Sequence, residues 1–310
     1  MSKQPQRRAR VLTRRLAATF GTSVGWTAVG LLKAIRLIPR RRVADAVGAI
    51  MRRAGPRLKE HRIGRANLAA AFPDKSEAEI ERILSGVWDN LGRFAAEFAH
   101  IDRLTNHDPS LPDDDIVADA ATSERFTRLR LDGKPALIFA AHLANWELPA
   151  LVAGRHGLDT AVLYRRPNIR EISDAIVKIR SSIMGTLIPT GLDAPVKLLR
   201  VLEANRHVAM LVDQYFVKGV EVTFFGRRCK VNPLIAQLAR HIDCPIHGTR
   251  MIRRPDRNRF WIEMTEAIEP KRDAQGLVDI PGTMQVIMTV VEEWIREHPE
   301  QWLWPHRMWR

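Results

Sequence analysis

Only two of the 310 residues are cysteine, Cys229 and Cys244, and their spacing fits neither a metal site nor a redox pair. That excludes a disulfide framework and leads us to expect a reducing compartment. No P-loop, G-x-G-x-x-G turn or H-E-x-x-H pair occurs, and the ten histidines show no metal-ligand spacing. The chain therefore lacks the usual signatures of nucleotide binding and of zinc chemistry. Internal repeats and long low-complexity linkers are also missing. With 45% hydrophobic residues, the chain has enough apolar material to bury the core of one large domain.

Acidic residues are scarce in one region only. Residues 1–65 hold 17 Lys/Arg against Asp45 and Glu60, whereas the remaining residues are close to neutral. The net charge of +14 thus belongs to the N-terminal segment. Such asymmetry points to an anionic surface, either a membrane or a nucleic acid. Long apolar runs are scarce too. The one candidate, Leu16 to Leu32, has 17 residues without a charge, between Arg14-Arg15 and a run of basic residues that ends in Arg40-Arg41-Arg42. Its length lies at the lower edge for a bilayer span, and charge on both sides sets no topology. We read residues 1–42 as a helical membrane anchor, either a short span or a helix in the interface, and 43–310 as the folded domain. A nucleic-acid arm would not need the apolar run.

Beyond the anchor the patterns predict helices at Val43–Ala54, Arg57–Phe72 and from Ser76 to about Phe98, the last opened by a capping box of Ser76 with Glu79. From Ser123 onward, strands and helices alternate. Strands are predicted at Ala136–Ala141, Thr160–Tyr164, Leu187–Pro189, His207–Val212, Ile246–Ile252 and Phe260–Ala267. Helices fall between them, and a long one closes the series at Gly282–Glu297. This alternation implies an α/β layered fold with a largely parallel sheet flanked by helices, whose sites gather beyond the carboxyl ends of the strands.

The most informative segment lies at one such end. The apolar run Pro135–Ala141 stops on His142, Asn145 is placed to cap the next helix, and Glu147 follows. On a continuous helix, residues five apart sit about 140° apart, so His142 and Glu147 can meet only across a strand-to-helix turn. There, a histidine can take a proton from a hydroxyl and a carboxylate can orient it. The same string also fits a histidine that merely ends a strand, with a solvated glutamate nearby. Other groups fall at comparable positions. Arg165, Arg166 and Asn168 follow the second strand, suited to a phosphate or a developing negative charge. Arg180 lies on the next helix, facing either that region or water. Asp213 and Gln214 end the fourth strand, where a carboxylate binds an amine or hydroxyl, fixes an arginine, or caps a turn. Thr223 to Gly226 is an apolar turn that either lines a groove or closes the core. Trp294, Trp302, Trp304 and Trp309 crowd the C-terminal segment, suited either to a membrane interface or to packing on the core.

Taken in order, Arg65-Ala66-Asn67-Leu68 with Phe72-Pro73, His142…Glu147, Tyr164-Arg165 with Asn168, Asp213-Gln214, Phe224-Phe225-Gly226 and Pro299-Glu300-Gln301-Trp302 with His306-Arg307 resemble the bacterial lipid A late acyltransferases of the lauroyl/myristoyl type. The resemblance runs over nearly the whole chain and implies a glycerolphosphate-acyltransferase-like fold at the cytoplasmic face of the inner membrane. It implies transfer of a fatty acyl chain from acyl carrier protein to a hydroxyl of a lipid A precursor. No metal or organic cofactor is required, because a thioester is already activated, and no nucleic acid takes part. His142 would be the general base, Glu147 its partner, and Arg165 or Arg166 the group at the oxyanion or a phosphate. Arg166, Asn168, Arg180, Asp213, Gln214, His306 and Arg307 would bind substrate. A related enzyme acting on another glycolipid or phospholipid precursor would use the same pair, and a non-enzymatic membrane-associated protein would need neither residue.

Overall fold

The computed structural model describes residue 30 and residues 34–104, 114–165, 170–181 and 184–310. Of the expected anchor at 1–42, only Gly30 and residues 34–42 are described; the rest, including nearly all of its apolar run, lies outside the described residues, as do Arg166 and Asn168. Among the described residues no helix is long and apolar enough to cross a membrane.

Three helices open the domain: α1 (Arg40–Ala54), α2 (Lys59–Ala71) and α3 (Glu77–Phe98). The start of α3 is fixed locally. Ser76 accepts the Glu79 backbone N–H and Glu79 reaches back to the Ser76 backbone, which satisfies donors that a helix end leaves unpaired. Helix α1 begins three residues before the expected start, at Arg40, with Pro39 as its cap.

The centre is a seven-stranded sheet. Its strands are β1 (Ile116–Ala118), β2 (Leu137–Ala140), β3 (Thr160–Tyr164), β4 (Thr186–Pro189), β5 (His207–Leu211), β8 (Ile246–Arg253) and β9 (Phe260–Met264), in the order β1-β9-β8-β2-β5-β3-β4. Every neighbouring pair is parallel except the β8/β9 hairpin. The expected mixed α/β architecture with a largely parallel sheet is therefore present. A separate antiparallel pair, β6 (Tyr215–Phe224) and β7 (Arg227–Val231), has no counterpart in the predicted elements. Thr223–Gly226 is its turn, with positive φ at Phe225 and Gly226, as a tight two-residue hairpin needs. Phe224 and Phe225 are buried, so this turn closes the core.

The connecting helices are α4 (Ala120–Leu131), α5 (Leu148–Arg155), α6 (Arg170–Ser181), α7 (Ala194–Glu203), α8 (Leu234–His241) and α9 (Ile280–Glu297). Strand alternation sends Leu137, Phe139, Val208 and Met210 to one face of the sheet, where they join α7, α8 and α9 in the largest core cluster. Trp302 and Trp304 sit in that same cluster with almost no exposure. The C-terminal tryptophans therefore pack on the core, and of the two readings of the tail the membrane interface falls away for them. Asn67 on α2 holds the tail in place, donating to the Trp304 and His306 carbonyls at 3.0 and 2.9 Å.

Candidate active site

The opposite phase of the same strands builds a cavity. Ile138 and Ala140 of β2, Ala209 and Leu211 of β5, and Ile262 and Met264 of β9 line it from the sheet. Its volume of about 920 Å³ arises partly because alanines (Ala140, Ala150, Ala153 and Ala209) stand where larger residues would fill the space. That is near the upper end of the roughly 300–1,000 Å³ usual for ligand sites. At the carboxyl ends of the strands the lining turns polar and includes His142, Glu147, Arg165, Arg180 and Gln214.

His142 leaves β2 and is almost fully buried. Its partner is Asp213, at the end of the neighbouring strand β5. One Asp213 oxygen accepts the His142 backbone N–H at 2.8 Å, and the other lies 2.8 Å from ring Nδ1. The Trp302 indole N–H donates to the first of these oxygens at 2.7 Å. Burial alone would raise the Asp213 pKa. The charge of His142 and the hydrogen bonds from His142 and Trp302 outweigh it and hold the carboxyl down at about 2. In the neutral imidazole, a carboxylate at Nδ1 keeps the proton on that nitrogen and leaves Nε2 with a lone pair. The Gln214 amide nitrogen sits 3.1 Å from Nε2, as a donor to that lone pair would. This geometry suits a general base oriented by an acid, as in hydrolase triads.

Glu147 does not fill that orienting place. Both ring nitrogens of His142 are engaged elsewhere, and Glu147 forms a two-pronged ion pair with Arg180, with Arg180 Nε 2.8 Å from one carboxylate oxygen and Nη2 on the other. The Arg180 guanidinium also lies over the rings of Phe98 and Tyr164, at 5.7 and 5.8 Å from their centroids. Sequence reading paired His142 with the nearest carboxylate along the chain. The fold supplies one from 71 residues further on, because β2 and β5 are adjacent with Ala140 opposite Leu211.

The turn between His142 and Glu147 is held from below. Ala144 adopts φ 48°, a conformation that non-glycine residues rarely take and that costs about 1–3 kcal/mol unless its surroundings impose it. Its N–H donates to the Gln301 carbonyl at 2.9 Å, and Asn90 donates to the Ala144 and Gln301 carbonyls, each at 3.2 Å. Leu143 forms an antiparallel bridge with Trp302. Asn145, expected to cap α5, instead donates its amide to Glu97 at 3.0 Å and only weakly meets the Glu147 N–H, at 3.4 Å. Glu97 is fully buried and paired with Arg253, which also donates to Asn90 at 2.8 Å. Sequence reading missed Glu97, Asn90 and Arg253, and it singled out Trp302 without placing it beside Asp213. The first three are ordinary-looking members of a helix or strand pattern, and the only signal was a polar side chain on an apolar face.

The remaining expected site residues divide. Arg165 is exposed at the cavity rim. His306 sits behind Trp302, ring centroids 5.1 Å apart, with Nδ1 on the Leu303 carbonyl at 2.5 Å, and Arg307 is exposed; neither lines the cavity. Burial lowers the His306 pKa. Among the described residues no group of three or more His, Cys, Asp or Glu side chains is arranged to hold a metal.

The protein-family model described as "Bacterial lipid A biosynthesis acyltransferase" matches residues 13–310. No curated protein matches this chain.

Proposed function

The chain belongs to the bacterial lipid A biosynthesis acyltransferase family, and from that we propose that it transfers a fatty acyl chain from the thioester of acyl carrier protein to a hydroxyl of a lipid A precursor. The observation that carries this reading is the Asp213–His142 pair, buried at the polar end of a long apolar cavity. An acyl chain fits the apolar part, and the reacting atoms fall beside Nε2.

The acceptor hydroxyl displaces the Gln214 amide and donates to Nε2. As its oxygen attacks the thioester carbonyl, the proton passes to His142 and Asp213 stabilises the imidazolium. The C–O bond forms, the C–S bond breaks, and the proton leaves with the thiol. Arg180, fixed by Glu147, and Arg165 are cations that line this end of the cavity and would meet the developing oxyanion or a precursor phosphate. Glu147 thus acts through Arg180 and not through His142. The basic segment 1–42 would bring the enzyme to the anionic inner face of the inner membrane.

The test is acyl transfer by the purified full chain, with mass spectrometry of a lipid A precursor incubated with acyl carrier protein thioesters. A mass gain of one acyl group, lost in His142→Ala, is the expected result. No gain with any chain length, or an equal gain with His142→Ala, overturns the reading.

A further inference from the structure

At the mouth of the cavity several large apolar side chains stand in water. Leu192, in the turn after β4, is wholly exposed, and Val196 in the first turn of α7 is more than half exposed. Phe216 and Val217, at the start of β6, are 42% and 67% exposed. Leu192, Pro195, Phe216 and Lys218 line the one cavity, so these segments share its rim. The backbone explains why the β6 residues protrude. Tyr215 and Val220 both pair with Val231, so the four residues between them leave the ladder as a bulge. Gly219 permits it, since a Cβ there would meet the Val231 carbonyl oxygen at 2.2 Å.

The charges beside these residues are one-sided. Lys218 and Arg165 are exposed at the rim and form no ion pair among the described residues. The acidic neighbours are already neutralised, Asp193 by Lys197 at 2.6 Å and Glu221 by Arg228 at 2.5 Å. Apolar side chains flanked by unpaired cations match a bilayer interface, with hydrocarbon below and phosphates at the level of the cations. A partner that docked through acidic side chains alone would answer the cations but leave the apolar side chains in water. The tryptophan-rich tail is buried and not available for this role.

We propose that the Phe216–Lys218 bulge, together with Leu192 and Val196, is a lipid-inserting lip that seats the cavity mouth in an anionic bilayer. A lipid acceptor then enters the cavity without crossing water. The proposal rests on the lipid-acyltransferase reading for its purpose but not for its test.

In a full-length chain with Cys229→Ala and Cys244→Ser, an environment-sensitive fluorophore is placed in turn at Val217→Cys, Leu192→Cys and the exposed, distant Gln275→Cys. Vesicles of phosphatidylethanolamine and phosphatidylglycerol are added. Blue-shifted emission at 217 and 192, quenched by brominated acyl chains, with no change at 275, is expected. Emission that stays water-like at 217 while the protein sediments with vesicles overturns the proposal. So do equal shifts at 217 and 275, absence of vesicle binding, or a shift produced by acyl carrier protein alone. His142→Ala in the same background should keep the shift. In the parent chain, by contrast, a shift at 217 and 192 with no acyl transfer would sink the reaction assigned above and leave the lip standing.

Discussion

The Asp213 carboxylate holds His142 by two atoms at once, the backbone N–H and ring Nδ1, each at 2.8 Å. One side chain therefore fixes both where the loop runs and how the imidazole is turned. The Trp302 N–H on the same carboxylate leaves it little freedom to rotate.

Asp213→Asn should separate these roles. The amide can still accept the backbone N–H, but it no longer stabilises an imidazolium. In hydrolase triads the same exchange costs about 10⁴-fold in turnover. We expect kcat to fall by about 10²–10⁴-fold with KM changed little, as for His142→Ala, while circular dichroism stays native. A kcat within a few-fold of the parent would remove Asp213 from the mechanism.

The same carboxylate makes a pH prediction. Its pKa is depressed to about 2 in the folded chain, against about 3.9 in an unfolded one. Its stabilising contribution is thus fully present above about pH 4 and is lost as pH falls toward about 2. Urea midpoints of the parent and Asp213→Asn should differ by a constant amount above that window and converge within it. A gap that persists to the acid end would show that the pair does not set this dependence.

Glu147 and Arg180 should behave as a unit. Both are mostly buried, and removing one partner leaves an uncompensated charge, at a cost of about 3–5 kcal/mol for a fully buried pair and less here, where Arg180 keeps some exposure. Glu147→Gln should therefore lower stability as well as turnover. Glu147→Gln with Arg180→Gln should cost less than the sum of the singles in urea unfolding. Additive losses would refute the coupling.

Arg253→Met should be among the most damaging single changes away from the cavity. It strands the fully buried Glu97 and releases Asn90 and, through Glu97, Asn145. A loss of about 3–5 kcal/mol in urea unfolding is expected. Arg253→Met with Glu97→Gln should recover part of it, because no bare charge then remains.

Trp302→Phe keeps a ring in the core and deletes one donor to Asp213. Hydrogen bonds to charged groups are worth about 1.5–3 kcal/mol, so stability should fall within that range and kcat should fall less than in Asp213→Asn. Unchanged kinetics would make Trp302 a packing residue only.

How much of this was legible in the sequence depended on distance along the chain. Thr160–Tyr164 was bounded correctly because a buried strand in a parallel sheet is apolar on both faces. The Ser76 capping box was readable because both partners lie within four residues. Strand β1 has only three residues, and the first half of β6 is exposed and bulged, so neither carries a two-residue alternation. His142 and Asp213 were each found from the end of a strand, but their pairing was not. Asp213, Trp302 and the Glu97–Arg253 pair reach the His142 loop from elsewhere in the sheet, from the tail and from α3, and periodicity says nothing about which strand lies beside which.

The order of these contributions along the chain has a consequence for synthesis. His142 leaves the ribosome long before Gln301 and Trp302, which hold the Ala144 N–H and the Asp213 carboxylate. Until they arrive, the strained turn lacks its main-chain acceptor and the buried acid lacks a donor. A nascent chain that already contains the whole strand-and-helix framework therefore lacks the contacts that fix the His142 turn and the Asp213 carboxylate until this last stretch has been translated.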